Sequence, residues 1–327
     1  MNLKALKYCP GTLAEGHTTY SNLCLKRVFN GKRVNHVLPY NSPMHNSKTE
    51  GLFDENRQRI SISGVQAKFS VVLEKNKLRL VNANERGTYI LKPIPRGVKN
   101  ADQMPANEHL TMQIARQVYG IETAENALIF FKDGTPAYIT KRFDVKADGS
   151  KWAQDDFASL AGRTAPTHGE HYKYLGSYFD LFELMKLHLP AYKIEAPKLF
   201  KLLLFNYLFS NGDAHFKNFS LLETPLGDYR LSPAYDLLNT RLHIADKDFA
   251  LDHGLLPPTK KNGSILHQFK SLGQLAGMST KQIEGALYTL TRGSENASIL
   301  LNASYLNDKA KRNYWQSYQG KLKKLIG

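Results

Sequence analysis

Cysteine is almost missing from this chain: Cys9 and Cys24 are the only two in 327 residues. Two cannot build the disulfide framework of a small secreted scaffold, and they are too few and too far apart for a self-contained zinc site. They read as free thiols, and the expected compartment is a reducing cytosol. Long apolar runs are missing as well. A membrane span needs ~18 uninterrupted apolar residues; the nearest approach, Leu199 to Phe209, is broken by Lys201 and Asn206. The first ten residues carry Lys4 and Lys7 but no apolar stretch of the ~7 or more residues found in a signal peptide, so no secretory leader is expected. Acidic residues are in short supply, with 29 Asp plus Glu against 44 Lys plus Arg, a formal charge of +15. The basic excess gathers at the ends: residues 1–50 hold seven basic and two acidic side chains, and residues 308–327 hold six and one. Such a surface attracts polyanions or an acidic partner, or serves solubility alone. Lys321, Lys323 and Lys324 read as a solvated helix face or a partner contact.

What is present is ordinary for a folded protein. Hydrophobic residues make up 42% and charged residues 22%, which excludes a mostly disordered or collagen-like chain. At ~150 residues per domain the length allows about two domains or lobes.

Residues 1–60 are irregular in pattern. Short apolar runs at 69–73, 78–81 and 88–91 then read as strands, and 127–131 with 137–140 flank Lys132-Asp133-Gly134-Thr135-Pro136 as a hairpin. Between them, Pro105 precedes a helix over 106–119, with Leu110, Ile114 and Val118 at helical spacing and Gly120 stopping it. Beyond Asp144 the pattern turns helical, over 179–189, 197–210, 265–276, 280–292 and 306–326. Strands followed by helices predict an α+β fold. The expected divisions are an N-terminal extension (1–60), a small strand-rich lobe (61–143) and an all-helical lobe (144–327), with a hinge near 141–146 and a ligand cleft between the lobes.

Four segments carry chemistry. Ser210-Asn211-Gly212-Asp213-Ala214-His215-Phe216-Lys217-Asn218 places an Asp and an Asn five residues apart, the spacing of kinase catalytic loops. There a carboxylate takes or orients the hydroxyl proton of the nucleophile, and an amide oxygen holds magnesium. By itself this spacing also fits a polar turn with an Asx motif. Eighteen residues on, Leu231-Ser232-Pro233-Ala234-Tyr235-Asp236 ends in a second Asp, as kinases place the metal-binding Asp of their Asp-Phe-Gly; here the tripeptide is Asp-Leu-Leu. Asp236 with Asn218 is a donor set magnesium favours. Lys92, ending the apolar run Tyr89-Ile90-Leu91, can pair ATP phosphates and be oriented by Glu108, or be a solvated charge. Ser61-Ile62-Ser63-Gly64-Val65-Gln66-Ala67-Lys68 can cradle phosphates on its backbone N–H groups, or be a short turn.

The wording of these segments (S-I-S-G-V-Q-A-K, Y-I-L-K-P, N-E-H-L at 107–110, K-R-F-D at 141–144, N-G-D-A-H-F-K-N-F and L-S-P-A-Y-D) closely resembles the HipA family of bacterial toxin kinases. That resemblance implies a bilobal protein-kinase-like fold and an ATP- and Mg2+-dependent serine/threonine kinase. It puts the catalytic role on Asp213 with His215, and the metal ligands on Asn218 and Asp236. Nucleotide contacts fall on Ser63, Gly64, Val65, Gln66, Ala67, Lys68, Lys92, Glu108, His215, Lys217, Asn218, Tyr235 and Asp236. The adenine hinge falls on Lys141, Arg142 and Phe143, and autophosphorylation on Ser61 or Ser63. With some sixty residues before the phosphate loop, the chain is most similar to the short HipT form of three-gene systems. That form implies a HipS-like small antitoxin and a HipB-like DNA-binding antitoxin as partners, with DNA reached only through them and no membrane. The implied substrate is an aminoacyl-tRNA synthetase, tryptophanyl favoured. The competing expectation is a catalytically silent pseudokinase or basic scaffold that binds a repressor or nucleic acid.

Overall fold

The computed structural model describes residues 6–43, 67–82, 85–245 and 247–327. The chain is α+β and divides into two units. The first takes in Met1–Gln113, Ala124–Gly149 and Ile299–Lys311; the second takes in Ile114–Thr123, Ser150–Ser298 and Arg312–Gly327. Among the described residues no helix is long and apolar enough to cross a membrane.

The first unit is built on a five-stranded sheet. Its strands are β1 (Phe69–Glu74), β2 (Lys77–Leu80), β3 (Tyr89–Pro93), β4 (Asn126–Phe130) and β5 (Pro136–Lys141), in the order β2-β1-β3-β5-β4. All neighbours are antiparallel. The β4–β5 hairpin turns where the sequence predicts it, with Gly134 at φ 82°, a conformation that costs a residue without Cβ little.

Residues 6–43 are not the irregular stretch their pattern suggests. They contain a helix, α1 (Asn22–Phe29), whose start is fixed by Ser21: its hydroxyl accepts a hydrogen bond from the Cys24 N–H. Cys24, Val28 and Phe29 face inward at helical spacing. They join Phe69, Val71, Tyr89, Leu91, Ile129 and Ile139 in one apolar cluster with Cys9 and Tyr20. Tyrosine hydroxyls tie this segment to the sheet, Tyr20 donating to the Leu128 carbonyl (2.7 Å) and Tyr89 to that of Val28 (2.9 Å). Residues 36–38 continue pairing along β4: Phe130 N–H donates to His36 O and Leu38 N–H to Phe130 O. Both cysteines are free and buried, as expected for free thiols.

Helix α2 (Met104–Gln117) starts one residue before Pro105, which sits in its first turn, where a missing N–H breaks no helical bond. Asn107, Glu108, His109, Thr111 and Gln113 are all buried, so each needs a polar partner. His109 Nε2 lies 3.1 Å from Gly11 O, Thr111 donates to Asn107 O, and Gln113 Nε2 donates to Asn126 Oδ1.

The second unit is not all-helical, contrary to the sequence reading. It holds a three-stranded antiparallel sheet of β6 (Gln154–Asp156), β7 (Ser220–Glu223) and β8 (Tyr229–Leu231), in that order. Strands of three and four residues are too short to show a period of two, and β6 is wholly polar. Helices α3 (Tyr178–His188), α4 (Tyr192–Leu208), α5 (Ile265–Leu275), α6 (Thr280–Arg292), α7 (Ser294–Ala303) and α8 (Asp308–Ile326) make up most of the rest of the C-terminal half. Pro197, read as a helix start, lies inside α4, which begins five residues earlier. From Leu199 onward α4 is core: Phe205 and Phe209 stack at 4.4 Å, and Phe209 stacks on Tyr318 of α8 at 4.7 Å. Gly273 lets α5 approach α6, since a Cβ there would lie 2.6 Å from Ile283 Cγ1. The basic C-terminus also departs from expectation. Lys321 is 2% exposed, with its ammonium 2.5 Å from Asp248 Oδ1 and over the Tyr207 ring, so it is a buried ion-pair partner and not part of a solvated face. Lys323 and Lys324 are exposed.

Candidate active site

In the first unit, β3 carries Lys92. The strand alternates up to Leu91 and then keeps Lys92 and Pro93 buried as well. A lysine there requires a counter-charge, and α2 supplies it: Lys92 Nζ donates to Glu108 Oε1 at 2.6 Å, with both side chains under 5% exposed. The ammonium also lies 5.2 Å from the centre of the Tyr138 ring. The two residues paired from sequence are therefore paired in space. Lys141, Arg142 and Phe143 end β5 and follow it. The N–H groups of Lys141 and Arg142 are already spent on Glu125 O and Thr88 O, and their side chains on Asn30 and Asp144. Ala67 and Lys68 lead into β1, both half-buried. Ser61, Ser63, Gly64, Val65 and Gln66 lie outside the described residues.

In the second unit, the loop after α4 is held by a dense set of bonds. Ser210 takes a left-handed conformation (φ 55°), and its carbonyl accepts from both the N–H and the hydroxyl of Thr240. Thr240 Oγ1 in turn accepts the Gly212 N–H. Asn211 donates its side-chain amide to Asn206 Oδ1 and, at 3.4 Å, to the Asp236 carbonyl. Asp236 is itself left-handed (φ 56°), a conformation Asp tolerates better than most residues. Non-glycine residues in this region persist where the surroundings over-determine them, and such sites cluster where function needs a fixed geometry.

The loop then folds on itself. His215 N–H donates to Asp213 O (2.8 Å) and to Asn218 Oδ1 (3.0 Å), while Asn218 N–H donates back to His215 O. Tyr178 donates to the Ala214 carbonyl and Tyr235 to that of Lys217. Asp213 Oδ1 accepts the Tyr174 hydroxyl at 2.8 Å. The ring of Tyr174 meets His215 edge to face at 5.2 Å.

The electrostatics follow from burial. Desolvation raises the Asp213 carboxyl above the usual carboxylate range, and the Asp236 charge adds to this; the Tyr174 hydrogen bond and the Lys173 ammonium pull it back. His215 is pushed down to about 3, by burial first and then by Lys173, so its imidazole is neutral at physiological pH. Two mutually repelling carboxylates beside an amide oxygen that keeps a second lone pair fit a hard divalent cation such as magnesium, which takes one or two carboxylates and retains waters. Among the described residues there is no group of three or more His, Cys, Asp or Glu that could hold a metal.

The structure thus assembles Lys92 with Glu108 in one unit. It assembles Asp213, His215, Lys217, Asn218, Tyr235 and Asp236 in the other. Sequence reasoning missed Tyr174, Thr240 and Asn211. Thr240 follows Asp236 by four residues in the same loop, a signal within reach; Tyr174 is 39 residues from Asp213 and carries none.

Residues 60–297 match the family model described as the HipA-like C-terminal domain. The chain belongs to that family. Among curated proteins it is 25% identical over 248 residues to the "Putative kinase" of Haemophilus influenzae, covering 73% of this chain and 68% of that one. It is 30% identical over 187 residues to "Putative kinase Y4mE" of Sinorhizobium fredii, covering 56% and 43%, and 31% identical over 210 residues to "Putative kinase Y4dM" of the same organism, covering 60% and 48%. The chain therefore spans less than half the length of the two rhizobial relatives. The fold matches HipA of Shewanella oneidensis, in its complex with HipB and operator DNA, with a TM-score of 0.62 at 20% identity, over 82% of this chain and 64% of that one. It also matches the Helicobacter pylori proinflammatory kinase CtkA with a TM-score of 0.53 at 15% identity, over 78% and 93%.

Proposed function

We propose that this chain is an ATP-dependent serine/threonine protein kinase. The observation that carries the reading is the fixed loop that holds Asp213 beside Asn218, with the Asp236 charge acting on it, on a backbone clamped at both left-handed residues. Family membership and the kinase names of the relatives support it.

In this reading Asp213 accepts the proton of the acceptor hydroxyl as that oxygen bonds to the γ-phosphorus of ATP, while the bond from that phosphorus to the β–γ bridging oxygen breaks and ADP leaves. Its raised affinity for protons makes it a better base than an exposed carboxylate. Asn218 and Asp236 would hold magnesium, which supplies charge neutralisation on the phosphate oxygens. Lys92, fixed by Glu108, pairs the α/β-phosphates. Neutral His215 holds the loop shape through its main chain and adds no charge. With the Lys141 and Arg142 N–H groups committed to the sheet, adenine recognition at 141–143 falls to the remaining backbone groups there.

The biological reading is that of a toxin in a toxin–antitoxin system, of the HipT type, acting in the cytoplasm. Its acceptor would be an aminoacyl-tRNA synthetase, tryptophanyl favoured, and its phosphorylation would stop translation. HipS-like and HipB-like antitoxins would neutralise it, with DNA engaged only through them; the Shewanella HipA structure with HipB and operator DNA supports that partner class. Autophosphorylation at Ser61 or Ser63 would place about −1.5 to −2 charges in the phosphate loop and lower ATP affinity. The test is incubation of the purified chain with magnesium, γ-labelled ATP and a panel of aminoacyl-tRNA synthetases. Serine phosphorylation of one synthetase and of the 61–63 peptide is expected. ATP binding without transfer to any protein would instead favour a silent scaffold.

A further inference from the structure

The kinase reading leaves the bond between Tyr174 and Asp213 unused. Among the described residues, several tyrosine hydroxyls end on main-chain carbonyls: Tyr20 on Leu128, Tyr89 on Val28, Tyr178 on Ala214 and Tyr192 on Ala276. Such bonds satisfy a donor and tie backbone together. Tyr174 spends its hydroxyl on a carboxylate.

The tyrosine is held on several sides. Its N–H donates to His171 O, and its carbonyl accepts the Asp252 N–H at 2.9 Å. Just after it, Arg163 donates to Leu175 O at 2.6 Å and His253 N–H donates to Gly176 O. One ring contact is the edge of His215, and another is the Lys173 ammonium, 5.0 Å from the ring centre. A hydroxyl so anchored is suited to fixing a neighbour and poorly suited to swinging away as a plug.

We propose that Tyr174 is a positioning residue for phosphoryl transfer, locking the Asp213 carboxylate through Oδ1 so that Oδ2 is presented to the acceptor hydroxyl. This rests on the kinase reading. The logic is that of a base oriented by a third group: the orienting residue touches neither substrate nor phosphate, and a small misplacement of the base costs rate. Without the bond, Asp213 rotates about its side-chain torsions, and only part of the population has an oxygen aimed at the acceptor. ATP affinity is not expected to depend on this, because the bond is to the Asp213 carboxylate and not to Lys92, Asn218 or Asp236.

The test is Tyr174→Phe, which removes one oxygen and keeps the ring on His215. The expected result is a fall in kcat of about 10- to 100-fold, with KM for ATP and the melting temperature close to wild type. A purely structural role would lower the melting temperature and leave kcat intact. Asp213→Asn and wild type are assayed alongside. If wild type transfers phosphate, Asp213→Asn does not, and Tyr174→Phe turns over as fast as or faster than wild type, the role of Tyr174 is overturned and the kinase reading stands. If wild type binds Mg2+-ATP but transfers no more phosphate than Asp213→Asn, the kinase reading falls and the role of Tyr174 falls with it.

Discussion

Lys92 Nζ and Glu108 Oε1 lie 2.6 Å apart with both side chains nearly excluded from water. Neither charge could be buried alone, so each residue's position depends on the other's. A strand and a helix are thereby locked at a set distance, with a cation held at the end of β3.

That pair predicts unequal outcomes for stability and binding. Glu108→Gln removes the carboxylate bonded to the buried Lys92 ammonium and should cost about 3–5 kcal/mol of stability, together with ATP affinity. Lys92→Met removes the ammonium bonded to Glu108, at a similar cost. The double variant Lys92→Met/Glu108→Gln should recover much of the stability and none of the ATP affinity. Urea melts and nucleotide titration on the three variants give the answer; additive losses of stability would argue against a coupled pair.

His109 predicts an acid-sensitive fold. Burial holds its imidazole down to about 4, against 6.5 for a free histidine. Between those values the unfolded chain takes up a proton that the folded chain refuses. Stability from this group is therefore complete above about pH 6.5 and is lost as the pH falls towards 4, by up to about 3 kcal/mol. His109→Gln, which keeps an N–H to offer Gly11 O, should flatten that part of the stability–pH curve. Unfolding midpoints at pH 7.5, 5.5 and 4.5 test it, and an unchanged slope in the variant would count against the assignment.

At the C-terminus, Lys321 and Asp248 are exposed to different degrees, 2% against 36% for the side chains. Asp248→Asn leaves a buried ammonium without its carboxylate and should cost about 1–2 kcal/mol, discounted for the exposed partner. Lys321→Met leaves a half-exposed carboxylate that still has Arg241 at 2.8 Å and should cost less. Thermal melts that reverse this order would show that the ammonium is solvated after all. Salt-sensitive association with an acidic partner should respond to Lys323 and Lys324, and not to Lys321.

The strands of the first sheet were legible because their apolar runs are bounded by turn residues, as at Asp133-Gly134. Helix α1 carried its signals too, Ser21 as cap and Cys24 and Val28 at helical spacing, but eight residues amid Asn, Gly and Pro are easily read as loop. The β6–β8 sheet was not legible: Gln154, Asp155 and Asp156 pair with Leu222, Leu221 and Ser220 of β7, far along the chain, and nothing local marks them as a strand. In the site, Asp213, Asn218 and Asp236 stand out because the chemistry fixes their spacing along the chain. Tyr174 does not, because its bond to Asp213 comes from tertiary folding. Lys321 misled for the same reason: its counter-charge lies on a distant loop.

The most direct test of the kinase assignment is phosphoryl transfer from Mg2+-ATP by wild type and by Asp213→Asn, with ATP affinity measured on both. The account predicts serine phosphorylation by wild type, loss of transfer by at least about 100-fold in Asp213→Asn, and equal ATP affinity in the two. Transfer by Asp213→Asn at the wild-type rate would contradict it.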